Sequence, residues 1–211
     1  MNTKLNGNDL INWISCPYPG ELLPLERFLL HHYIFLSCPS VVLEVGCGEG
    51  ASTYYIAEAL RKNGRGQLYT CDPIRQPTEQ FLWLYSDNVN YFSSDSEFLI
   101  DRLISKNTIP SFVFFDGPED PIVALDDFKR LDPYLQTGTI FSMHDWHTGP
   151  NPRIYDNNIS TKADLIKPYI NSLENWKLIQ ELSGTEMNEE IDVGDITLPG
   201  DSVGLAFYRK V

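Results

Sequence analysis

The feature that most constrains this chain is a short β-branched run, Val41-Val42-Leu43-Glu44-Val45. It stops at Gly46-Cys47-Gly48-Glu49-Gly50 and passes into a helical pattern over 51–62. A run of that kind, apolar without regular alternation, fits a strand buried on both faces. The glycines that follow let the backbone turn tightly and let a ligand approach the main chain closely. Strand, glycine turn and helix in that order open a parallel α/β sheet, because parallel neighbours need a crossover that a hairpin cannot supply.

The remaining pattern continues the theme. Further strands are expected at 67–71, 89–93, 111–115 and 139–143, with helices at 80–85, 96–105, 122–131 and 160–173, and two closing strands at 176–182 and 203–211. Asn63-Gly64 reads as a helix stop, and Asp95 as a helix N-cap. Residues 9–36 read as two amphipathic helical stretches separated by Pro17-Tyr18-Pro19-Gly20, the second carrying Leu22, Leu25, Leu29 and His32 at helical spacing with Pro24 near its start. The expected fold is a doubly wound α/β sheet with right-handed crossovers. Residues 1–38 form a helical lead-in packed on the same domain, and 39–211 the domain proper.

Charge narrows the classes of partner. With 16 Lys+Arg against 29 Asp+Glu, the net charge of −13 argues against an extended nucleic-acid footprint and against docking on an anionic bilayer. The longest apolar stretch, 28–36, is interrupted by His31 and His32 and is too short for a membrane span. No basic segment leads into an apolar one at the start, so a cytoplasmic protein is expected. Cys16, Cys38, Cys47 and Cys71 have no metal-site spacing and read as reduced thiols. His31 and His32 read as structural.

In an open α/β sheet, ligands bind beyond the carboxyl ends of the strands. The expected strands end at Glu44 with the glycine turn, at Asp72, at Ser94-Asp95-Ser96, at Asp116, and at His144, Asp145 and His147. Ionisable groups thus gather at one edge. An acid about twenty residues beyond the glycine turn is placed to bind a ribose diol, which is the position of Asp72. Gly46-x-Gly48-x-x-Ala51 also satisfies a dinucleotide-binding pattern, so a nicotinamide-dependent oxidoreductase is a rival reading. Against it stand the third glycine at position 50 and Glu44 ahead of the first. Trp83, Tyr85, Trp146 and Tyr155 are candidate walls of an acceptor pocket, or core. The segment 178–208 holds six acids besides Glu181 and no Lys or Arg; it reads as a solvated loop between the last strands.

Leu43-Glu44-Val45-Gly46-Cys47-Gly48-Glu49-Gly50 resembles the first motif of class I S-adenosylmethionine-dependent methyltransferases. The resemblance continues through Cys71-Asp72-Pro73, Phe114-Phe115-Asp116-Gly117 and Met143-His144-Asp145-Trp146 and covers roughly 40–211. It implies a Rossmann-like, mostly parallel seven-stranded sheet whose last strand alone is antiparallel. It further implies that Gly46, Cys47, Gly48 and Gly50 line the methionine and ribose side of S-adenosyl-L-methionine, that Glu44 orients that loop and that Asp72 takes the ribose hydroxyls. Asp95 and Ser96 would lie by the adenine and Asp116 by the reacting end. The small-molecule branch of the family suggests a small-molecule acceptor with a hydroxyl oxygen. Since a phenol of pKa about 10 is mostly neutral at cellular pH, a base or Lewis acid is needed. His144 and His147 are candidate bases, with Asp145 beside them. Asp116 and Asp145 are candidate Mg2+ ligands, although metal-dependent relatives carry two acids or Asp-Asn where this chain has His144-Asp145. A cofactor-binding module without turnover and a methyltransferase acting on a protein or peptide are the alternatives. Acceptor identity and oligomeric state are not legible.

Overall fold

The computed structural model describes residues 16–20, 22–148, 161–182 and 202–211. Seven strands, β1 Val41–Val45, β2 Gln67–Cys71, β3 Val89–Phe92, β4 Phe112–Phe115, β5 Ile140–Thr148, β6 Trp176–Leu182 and β7 Ser202–Lys210, form one sheet. Their order is β3-β2-β1-β4-β5-β7-β6. Strands β1 to β5 pair parallel, and β7 pairs antiparallel with both β5 and β6. Only the last strand runs against the rest, as the resemblance implied. The chain reverses its direction of travel across the sheet between β1 and β4, and this switch opens a crevice at the carboxyl ends of those two strands.

Helices α1 Pro24–Ser37, α2 Ala51–Asn63, α3 Glu79–Leu84, α4 Ser96–Ser105, α5 Pro121–Leu131 and α6 Lys162–Ser172 cover the sheet. Side chains alternate along each strand, so the sheet serves two cores. Val42, Leu68, Phe112, Phe114 and Ile140 pack with Leu29, Leu30 and Ile34 of α1 and Ile56 and Leu60 of α2. Leu43, Val45, Val113, Phe115, Phe141 and Met143 face the other way, onto Leu99 and Leu103 of α4, Phe128 of α5, and Ile166 and Ile170 of α6. All four residues of β4 are fully buried, which is what its unbroken apolar run requires.

The helix ends follow local chemistry. Pro24 stands at the first turn of α1, and the Glu26 carboxylate accepts the Leu23 N–H at 2.7 Å. Gly64 closes α2 with φ 65°, and the Asp95 carboxylate caps α4 by accepting the Phe98 N–H at 2.9 Å. Both were expected.

Strand β5 differs from its expected end at 143. Pairing with β7 carries it on through His144↔Leu205, His147↔Val203 and Thr148↔Ser202, skipping two residues as a bulge. Asp145, inside the bulge, has φ 60°, a left-handed conformation that few non-glycine residues adopt. The first of the two expected lead-in helices, Tyr155 and most of the acidic 178–208 segment lie outside the described residues. Among the described residues no helix is long and apolar enough to cross a membrane.

Candidate active site

The turn after β1 is built from its glycines. Gly46, Gly48 and Gly50 have φ of 85°, 51° and 104°. A Cβ on Gly46 would run into the Gly117 backbone, so the turns after β1 and β4 touch main chain to main chain. Gly48 is different: its missing Cβ would meet nothing within 4 Å, so the crest of the loop faces open space. The Gly46 and Cys47 N–H groups both donate to the Cys71 carbonyl, at 2.9 and 3.3 Å.

Asp72 closes the crest from β2. Its Oδ2 accepts the Gly48 N–H at 3.0 Å, and its Oδ1 accepts those of Ile74 and Arg75 at 2.9 and 2.8 Å. Below the loop Glu44 is fully buried, its Oε2 accepting from Thr53 Oγ1 at 2.8 Å and Thr70 Oγ1 at 2.7 Å. Burial pushes its carboxyl up to about 7, against the hydroxyl donors Ser52, Thr70 and Thr53. Glu44 therefore ties β1, β2 and the first turn of α2 together behind the glycines. Burial also raises both neighbouring thiols, Cys71 to about 12 and Cys47 further, so neither is a thiolate nucleophile. Asp95 is exposed at its cap, whereas Ser96 is buried and bonds Asp127, whose carboxyl burial lifts to about 6.

Beside Gly117 stands a buried cluster of charges. His144 Nδ1 lies 3.0 Å from Asp116 Oδ1 and 3.2 Å from Asp145 Oδ1, while its Nε2 lies 3.2 Å from Glu26 Oε2. Lys162 Nζ sits 2.7 Å from Asp145 Oδ2 and donates to the Asp116 carbonyl at 2.7 Å. Glu26 reaches the cluster from α1 on one face of the sheet, and Lys162 from the start of α6 on the other. Side-chain exposure is 3% for His144, 1% for Glu26 and Lys162 and 13% for Asp145, against 26% for Asp116. Asp116 is thus the member that meets solvent.

The charges set one another. Burial alone would hold His144 neutral, but Glu26, Asp116 and Asp145 outweigh it and raise the imidazole well above 6.5. Burial likewise opposes the charge on Asp145 and on Lys162. His144 and Lys162 nevertheless hold the Asp145 carboxyl far below its usual range, and Asp145, Asp116 and Glu119 raise the Lys162 ammonium.

Of the residues expected at the site, the structure brings Asp116, His144 and Asp145 into one group whose ligand atoms lie within 4.8 Å of one another. His147 is not brought in: its Nε2 faces Glu181 Oε1 of β6 at 3.2 Å, and that carboxylate also takes Lys167 Nζ at 2.6 Å. Trp146 is 2% and Tyr85 6% exposed, both core, while Trp83 projects from α3 at 78%. Glu26 and Lys162 were missed. Glu26 had a signal, since it falls between Leu22, Leu29 and Leu30 on the apolar stripe of α1, where a carboxylate needs a reason. Lys162 had none beyond its place at a helix start.

Comparison with known proteins adds independent findings. Residues 43–146 match the family model described as a methyltransferase domain. No curated protein matches the chain. Among solved structures, the O-methyltransferase TomG of Streptomyces achromogenes, in complex with SAM, is 14% identical with a TM-score of 0.63 over 90% of this chain and 81% of its own. An O-methyltransferase of Bacillus cereus in complex with SAH is 13% identical, TM-score 0.63, over 92% and 84%. A methyltransferase of Geobacter sulfurreducens is 16% identical, TM-score 0.55, over 89% and 79%. At these identities the likeness is one of fold.

Proposed function

Since the chain belongs to the class I S-adenosylmethionine-dependent methyltransferases, we propose that it transfers the methyl group to a hydroxyl oxygen of a small-molecule acceptor. The observation that carries this reading is the placement of an open, side-chain-free loop crest at Gly48 next to a buried charged cluster whose exposed member is Asp116. Donor and acceptor would meet between them. When bound, S-adenosylmethionine supplies a methyl already activated on a sulfonium, so the protein has mainly to align, exclude water and manage a proton. The residues fit that group: three positive-φ glycines leave room for it, and the Asp72 carboxylate stands at the crest where a ribose diol would bond.

Asp116 accepts the acceptor's hydroxyl hydrogen. As the carbon–sulfur bond breaks and the carbon–oxygen bond forms, that proton passes to the Asp116 carboxylate. His144, with a carboxylate on each ring nitrogen and 3% exposure, holds Asp116 in place and does not itself touch the acceptor. The O-methyltransferase titles of two structures with this fold support oxygen as the acceptor atom. A Mg2+ ion on Asp116 and Asp145 does not suit the donor set, because the Lys162 ammonium already occupies Asp145; no step is assigned to it.

The test is titration calorimetry with S-adenosylmethionine and with S-adenosylhomocysteine, followed by labelled methyl transfer to a panel of hydroxylated compounds. Binding of both at about micromolar affinity and label on an oxygen are expected. No heat with either ligand would sink the cofactor, and label on nitrogen alone would sink the oxygen.

A further inference from the structure

Lys162 is an unusual residue to find where it stands. It occupies the first position of α6, where the helix dipole presents its positive end and disfavours a cation. It is also among the largest fully buried side chains of the protein. A solitary ammonium so placed would be expelled to water or neutralised. Two contacts retain it: the Asp145 carboxylate at 2.7 Å and the Asp116 carbonyl at 2.7 Å. Asp145, for its part, holds a left-handed φ of 60° within the β5 bulge, which places it against Lys162 and His144 together. Strained backbone and a buried cation at the mouth of a crevice are both costs that the fold alone does not require.

We propose that the Lys162 ammonium is the resident cation of this site, a positioning residue that fixes Asp145 and the turn bearing Asp116 in the place a divalent metal would otherwise fill. The inference rests on the methyltransferase reading for its purpose but not for its test. Asp116, His144 and Asp145 offer a metal's ligand atoms within 4.8 Å, yet one carboxylate oxygen of Asp145 is already bonded to a charge. A single ammonium supplies the neutralisation without the waters and octahedral geometry that Mg2+ demands. Removing it leaves an uncompensated carboxylate beside two further donors, a vacancy of the kind a divalent ion fills.

The experiment uses Mn2+ as the probe, read by calorimetry and by the electron paramagnetic resonance signal of the bound ion. The wild-type protein and Asp145→Asn should bind it alike and without saturation up to about 1 mM, as any acidic surface does. Lys162→Ala should bind about tenfold tighter or more with a bound-ion signal, and the gain should vanish in the Lys162→Ala, Asp145→Asn double variant. A wild-type Mn2+ site that Asp145→Asn abolishes would overturn the proposal, as would a folded Lys162→Ala with wild-type binding. Should Lys162→Ala not fold, the comparison of wild type with Asp145→Asn decides alone. S-adenosylmethionine calorimetry on the same wild-type sample separates the two readings, since loss of cofactor binding speaks against the methyltransferase reading whatever the metal does.

Discussion

Glu44→Gln is expected to change how stability depends on pH. The amide keeps an acceptor oxygen for the Thr53 and Thr70 hydroxyls and removes the charge. In the folded protein the Glu44 carboxyl titrates near about 7, against 4.5 in the unfolded chain, so folding penalises its ionised form. A raised carboxyl leaves stability undiminished below 4.5, where the group is neutral in both states, and erodes it as pH climbs to 7; beyond that the penalty is constant. Linkage puts the penalty at about 1 kcal/mol at pH about 5.5 and about 3 kcal/mol at pH about 8.5. Glutamine carries none of it. The stability of the variant relative to wild type should therefore rise by about 2 kcal/mol across that interval. Urea unfolding of both proteins at the two pH values measures this, with equal m-values as the condition for comparison. The many other carboxylates titrate in both proteins and cancel, and any pH-independent offset reports only how well the amide fits. Stability curves that stay parallel between the two pH values would refute the reasoning, for Glu44 would then ionise as freely as an exposed acid.

Gly46→Ala and Gly48→Ala should separate folding from binding: the first forces a side chain into Gly117 and should destabilise by about 3 kcal/mol or more, the second should cost about 1 kcal/mol yet abolish S-adenosylmethionine binding by calorimetry. Asp72→Ala frees the Gly48, Ile74 and Arg75 N–H groups and should weaken S-adenosylmethionine at least about tenfold in the same assay. His144→Ala leaves Glu26 buried and unpaired and should destabilise by about 3–5 kcal/mol at pH about 6. A raised imidazole stabilises fully below 6.5 and progressively less as pH passes its folded value, so denaturant titrations at higher pH should show the gap to wild type narrowing.

The fold was legible because its signals are local and repeated. Buried strands such as 112–115 announce themselves by unbroken hydrophobicity, Asp95 caps where a cap is due, and Gly64 ends a helix as glycine does. The strand ends then place Glu44, Asp72, Asp116, His144 and Asp145 on one edge without further information. What escaped was non-local. Glu26 and His144 are 118 residues apart, and Lys162 and Asp116 are 46 apart; nothing in either neighbourhood says that they meet. His147 looked equivalent to His144 because a histidine three residues on in a loop could point anywhere, whereas in a bulged strand it is committed to Glu181. The end of β5 was misplaced for the same reason: its partner, β7, lies at the far end of the chain.

The bulge in β5 also inverts parity. Before it, odd-numbered residues Phe141 and Met143 enter the core beneath α4, α5 and α6; after it an even-numbered one, Trp146, enters that same core. Counted by twos, the strand loses a beat at Asp145, and that lost beat lets two consecutive side chains meet at one point when a regular strand would send them to opposite faces. The site is a dislocation in an otherwise periodic element. Deleting Asp145 alone would restore the beat, turn Trp146 towards α1 and trade one carboxylate for a misplaced indole. The functional pair and the phase of everything beyond it are thus a single inherited unit, in which neither can be altered without the other.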